Sequence, residues 1–200
     1  GNRSATISTF LVDECANHSL TVGGNRDQKI GGDHKFTIAG DASLEVGAID
    51  TTLVVGKVSE TVEADVTRTI GAADVAITAG DLPRAVKANL TRTIAALDGV
   101  ITFGGKSVEA GVNITETVGG AVLAKVDGDH AEDAAVAFTE IDGGANLIKA
   151  DNIVFEAGAL LNVVMGGSIL SINPGMVTLL GASIKLDGDT SDLVALVIDN

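Results

Sequence analysis

The sequence predicts an all-β fold: an intertwined homotrimeric triple-stranded β-helix, a prism-shaped needle built from octads of the form V-x-G. Three observations predict it. A β-branched residue returns every eight residues, a very small residue follows two positions later, and a second period of 24 residues groups the octads in threes.

The octad emerges on stepping by eight from Val22 to Val126. The step meets Val22, Ile30, Ile38, Val46, Val54, Val62, Ile70, Val86, Ile94, Val118 and Val126, with Thr78, Thr102 and Ala110 in the remaining places. Eleven of these fourteen residues are Val or Ile, against about three expected from the 39 in the chain, so the repeat is real. Two positions on, thirteen of the fourteen residues are Gly or Ala, Val112 being the exception. The next position is often Asn or Asp, as in Asn25, Asp33, Asp41, Asp65, Asp81 and Asn89.

Each octad reads as one short strand and one corner. Stretches such as "SLEV" and "TRTI" alternate with period two, and Thr favours extended structure. The small residue and the Asn or Asp then turn the chain tightly. Eight residues cannot pair with themselves, so each strand must find neighbours elsewhere. Three octads make one turn of a triangular prism, as "TRTI" at 67 and 91 and "TETV" at 115 mark. Two architectures fit such a turn: a single-chain β-helix stacked on itself, and three chains wound together. The equivalence of all octads favours three chains, with the Val and Ile column as the trimer core. A Gly-Asp-rich calcium roll has a nine-residue repeat and is excluded by the period.

Composition agrees. With no Trp or Tyr and five Phe, the core is built from Val, Ile, Leu and Ala, which suits stacked similar layers. The net charge of -14 opposes binding to nucleic acid or anionic lipid. No apolar run is long enough for a membrane-spanning helix, and the first residues lack a signal-peptide pattern. The lone Cys15 has no intrachain disulfide partner.

The repeat from Val22 to Gly128 resembles the C-terminal needle of contractile-phage tail spikes, and "LTVGGNRDQKIGGDHKFTIAGD" is similar to the repeat region of VgrG, the spike of the type VI secretion system. "VVMGGSILSINPGMVTLLGASIKLDG" resembles the closing strands of VgrG-type spikes. The resemblance implies a structural, non-enzymatic, membrane-puncturing spike that delivers effectors through a tip cap of the PAAR family. It also implies a homotrimer joined to a tube and baseplate through a base that this chain lacks, and touching the target membrane transiently. Such a spike is assembled in the bacterial cytoplasm and then injected into a target cell. No cofactor or metal is expected.

Four regions follow: a lead-in at 1–15, the octad β-helix at 16–145, a tapering prism at 146–188 and a tip segment at 189–200. In the taper, alternation at Leu161-Val163-Met165, Leu170-Ile172, Val177-Leu179 and Ile184-Leu186 reads as strands with one buried face. Val163, Ile172, Val177, Leu179 and Ile184 extend the expected trimer core. Leu193, Val194, Leu196, Val197 and Ile198 are the expected cap contacts at the tip. One strand spacing per octad would make a needle on the order of 100 Å.

Candidate chemical sites are few. His34 and His130 each follow Asp at a turn and lie 96 residues apart, so repeat placement accounts for them. Asp127, Asp129 and Asp133 read as a solvated turn. The sequons at Asn17, Asn89 and Asn113 arise from octad phase. No nucleophile and base stand in a supporting motif. The competing function is a single-chain β-helix adhesin or carbohydrate-active protein, a reading weakened by the absence of Trp and Tyr for sugar stacking.

Overall fold

A computed structural model of the chain describes residues 1–9, 11–144, 146–149, 153–165 and 168–180. Among them there is no helix; short strands coil into a three-walled β-solenoid of about seven turns. The first wall stacks β1 (Arg3–Ile7), β4 (Arg26–Ile30), β7 (Asp50–Val54), β10 (Asp74–Thr78), β13 (Asp98–Thr102), β16 (Val122–Val126) and β19 (Asn146–Lys149). The second stacks β2 (Leu11–Cys15), β5 (His34–Ile38), β8 (Val58–Val62), β11 (Leu82–Val86), β14 (Lys106–Ala110), β17 (His130–Ala134) and β20 (Ile153–Ala157). The third stacks β3 (His18–Val22), β6 (Ala42–Val46), β9 (Val66–Ile70), β12 (Leu90–Ile94), β15 (Asn113–Val118), β18 (Ala137–Asp142) and β21 (Leu160–Met165), then adds β22 (Ser168–Asn173) and β23 (Met176–Leu180).

Every pair up to β21 is parallel and in phase, as in Asp50↔Asp74↔Asp98, with partners 24 residues apart through most of the stack. The neighbours of each strand therefore lie three octads away in the same chain. This differs from the intertwined pairing expected from the octad. A turn of three near-identical octads closes a triangle within one chain and sets equal phases above one another. The expected length changes for the same reason. One spacing takes three octads instead of one, so the nine strands of the third wall rise about 38 Å at roughly 4.8 Å per spacing. Residues 1–15, expected as a lead-in, already supply the first rungs of two walls.

Corners explain the small and acidic phases. The Gly56 N–H donates to the Gly32 carbonyl one turn below (3.0 Å), and the Gly80 N–H donates to Gly56 (3.0 Å). A Cβ on Gly56 would stand 2.7 Å from the Gly32 carbonyl carbon and collide with Asp33 Oδ1. Asp33 Oδ1 accepts the Lys57 N–H (2.8 Å), and Asp65 Oδ1 accepts the Asn89 N–H (2.9 Å). Asn or Asp at this phase thus satisfies a backbone donor of the next turn that bends out of the ladder.

Three corner columns form the apolar core. The Val or Ile closing each strand packs around the corner against the residue opening the next strand. Ile38, Val62 and Val86 of the second wall meet Ala42, Val66 and Leu90 of the third. The expected trimer-core residues from Val22 to Val126 are all buried, lining the interior of one chain's prism. Val163 packs at the end of this column, whereas Ile172, Val177 and Leu179 are exposed. Ile184 and the expected cap contacts Leu193, Val194, Leu196, Val197 and Ile198 lie outside the described residues.

Candidate functional site: a buried charge spine

Period two within a strand turns three residues inward: the closing Val or Ile and the residues two and four positions before it. The closing and opening residues occupy the corners. The middle one points toward the prism axis, and many polar side chains stand there or beside it. Among the described residues eight carboxylates are buried: Asp50, Glu60, Asp74, Asp98, Glu116, Glu132, Glu140 and Asp142.

Six of the eight meet cations. Arg26 Nη1 donates to Asp50 Oδ1 (2.8 Å) and to its second oxygen (2.9 Å). Its Nη2 also donates to Gln28. Glu60 takes the Arg84 Nε–H (2.6 Å), with Arg68 at 3.7 Å. Arg92, itself buried, bridges Glu116 (2.8 Å), Asp98 (2.9 Å) and Asp74 (3.4 Å) across two walls. Lys106 Nζ donates to Glu132 Oε1 (2.6 Å), and the His130 ring lies 3.1 Å from the same oxygen.

Glu140 and Asp142 instead share an amide. Asn146 Nδ2 donates to Glu140 Oε1 (2.8 Å) and Asp142 Oδ2 (2.9 Å), and Asp142 Oδ1 has no hydrogen-bond partner. Burial, then the charges of Glu116, Asp142 and Glu132, push the Glu140 carboxyl up to about 8. Burial also raises Asp142. Burial would raise Glu60, but Arg84 and Arg68 hold it down at about 2. Burial likewise opposes the low value of Glu132, which Lys106 and His130 enforce. At neutral pH this layer therefore carries a proton on Glu140, where the rungs below carry guanidinium or ammonium groups.

Below the Lys106 level an axial cavity of about 270 Å³ runs between the walls, lined by Leu20, Phe36, Leu44, Arg68 and Arg84 among others. Charge and apolar surface alternate along it, and ion pairs tie each turn to its neighbours.

The structure moves several residues from where sequence reading set them. His34 and His130 open strands β5 and β17 and face inward instead of sitting at turns. His34 lies 3.3 Å from Asp13 Oδ2, and burial lowers its basicity. Asp127 pairs with Lys125 at 2.7 Å, and Asp127, Asp129 and Asp133 are exposed. Asn89 and Asn113 belong to the corner ladder, Asn113 Nδ2 donating to Asn89 Oδ1 (3.1 Å). Cys15 is an exposed free thiol. Sequence reading missed the charge spine itself. Its signal was strand parity: residues two and four before each Val or Ile share its face, polar or not. Carrying the step of eight past Val126 would also have met Ala134 and Asp142.

Residues 16–39 match the Gp5 C-terminal repeat, in three copies. The matched segment holds β3, β4 and β5, one strand in each wall, and so amounts to one turn of the solenoid. No curated protein and no solved structure matches the chain. Over that turn the chain carries the repeat of phage tail spikes, and its all-β coiled architecture is consistent with a Gp5- or VgrG-type structural spike.

Proposed function

We propose that the chain is the shaft of a membrane-puncturing spike in a contractile injection system of the phage-tail or type VI secretion kind, working as a homotrimer without enzymatic activity. The match of one turn to the Gp5 C-terminal repeat carries this reading. Physical features support it. Parallel walls leave few free sheet edges along the shaft, so force passes along a hydrogen-bonded rod. The ion pairs of Arg92 with Glu116 of the next turn in its own wall and with Asp98 of the next turn in another wall resist shear between turns. A rise of about 38 Å is comparable to a bilayer thickness of about 40 to 45 Å. The acidic balance disfavours lodging among anionic headgroups. In this reading the shaft is assembled in the bacterial cytoplasm, bears a PAAR-type cap or an effector, joins the tube through a separate base and is driven outward by the sheath.

Closure of the walls within one chain favours a second reading, a monomeric β-solenoid adhesin or carbohydrate-active protein. Deleting the chain in its host and scoring sheath assembly and effector delivery tests the first. Delivery is expected to be lost while sheaths still form; unchanged delivery overturns the spike reading.

A further inference from the structure

The outer faces of the three walls differ. On β9, β12 and β15 of the third wall both outward positions between the corners are threonine. Pairing sets Thr67, Thr91, Thr115 and Thr139 above one another in one rank and Thr69, Thr93 and Thr117 in a second, with no slip of register. Thr67, Thr69 and Thr93 are exposed and the others half-buried. Neighbouring rungs of the first wall turn Val75, Ile77 and Ile101 outward, and those of the second turn Pro83, Ala85 and Glu109 outward. Strand propensity favours Thr on any wall, so it does not account for ranks confined to one. Among the described residues none of these threonine hydroxyls has a hydrogen-bond partner in the protein.

We propose that this threonine face binds ice. Strand geometry spaces the rungs about 4.8 Å apart and the two ranks about 6.6 to 6.8 Å apart, both within about a tenth of the two oxygen repeats on a prism face of hexagonal ice. Each hydroxyl offers one donor and two acceptors, and the β-branched side chain is stiff at χ1, so the ranks present a regular lattice of oxygen and methyl groups. Gly71, Ala95 and Gly119, which follow these strands at the corner, are too small to overhang it. Other ligands find little here. Between the corners of β9, β12 and β15 the outward side chains supply no cation for an anion, no carboxylate for a metal and no ring for a sugar. Water ordered over the ranks merges with the prism face of a growing crystal, and bound chains halt its growth. This activity is separate from puncturing and does not depend on it.

Thermal hysteresis of the full chain, read on a single seed crystal under a cold-stage microscope, tests the face. The parent is expected to hold the crystal faceted and unchanged over an interval below its melting point. Thr93→Lys, at an exposed position, is expected to abolish that interval with unchanged β circular dichroism. Ser107→Lys, exposed on the second wall, is expected to keep it. No interval for the parent, an interval retained by Thr93→Lys, or equal loss in both variants overturns the proposal. Plane labelling keeps the test open should Thr93→Lys fail to fold. The parent, carrying a dye on the exposed Cys15 thiol of the second wall, is expected to label the prism planes of an ice single crystal grown in its presence. Labelling of the basal plane alone, or of no plane, overturns it.

Discussion

Glu140 stands one rung beyond Glu116 in the same inward column, and Arg92, one rung below Glu116, bonds it at 2.8 Å. Glu140 faces Glu116, Asp142 and Glu132, with Lys106 as the opposing charge and the Asn146 amide as hydrogen-bond donor. With the carboxyl up at about 8, the folded state holds a proton that the unfolded chain releases near its ordinary value of 4.5. The resulting stabilisation is complete below that ordinary value and is lost as pH rises through about 8. Thermal melting between pH 7 and 9 should show the parent weakening and Glu140→Gln holding more nearly constant. Asp142, raised in the same sense, leaves a residual slope. Parallel profiles for parent and variant would remove the shared-proton account.

Glu60 has the opposite sign. Held at about 2 by Arg84 and Arg68, it stabilises the fold above its ordinary value of 4.5, and that contribution fades as pH falls toward about 2. The shift corresponds to about 3 kcal/mol. Glu60→Gln also leaves two arginines without their carboxylate, so urea unfolding at pH 7 should show a loss of about 3 to 5 kcal/mol. A loss below about 1 kcal/mol, the level of an exposed pair, would mean that water reaches this rung freely.

Val62 and Ile70 close strands in adjacent walls and are essentially without exposure. Val62→Asp puts a carboxylate into an apolar corner column and Ile70→Asp puts one beside the buried Asp74 that opens the next strand, each at a cost of several kcal/mol. Ser43→Asp, on an exposed outward position, is expected to change stability by no more than about 0.5 kcal/mol. Chemical denaturation separates them; similar midpoints for all three would place these residues outside the core.

Asp65 Oδ1 accepts both the Asn89 N–H at 2.9 Å and the Asn89 side-chain amide at 3.0 Å. Asp65→Ala should cost about 1 kcal/mol, as loss of a cap does. Amide exchange should speed up first at Asn89, one turn along, while the strand amides of β9 keep their protection. Uniform acceleration through β9 and β12 would show instead that the corner governs the whole turn.

Sequence by itself determined the strand-and-corner unit, the inward column from Val22 to Val126, the small residues at close-packed corners and the presence of strands on either side of Asn173-Pro174-Gly175, though not their antiparallel pairing. Each depends on neighbours within a few residues: β-branched packing, steric room and turn chemistry. Tertiary structure decided which strands pair. An octad whose phases are all alike fits a neighbour from its own chain or another, and nothing local separates the two. The charge spine was hidden for a related reason. Strand parity turns Arg92 inward in "LTRTI", but only closure of the prism brings Asp74 and Asp98, from another wall, to its guanidinium. Long-range pairing places such charges inside, because a buried cation is tolerated only where folding has delivered its partners.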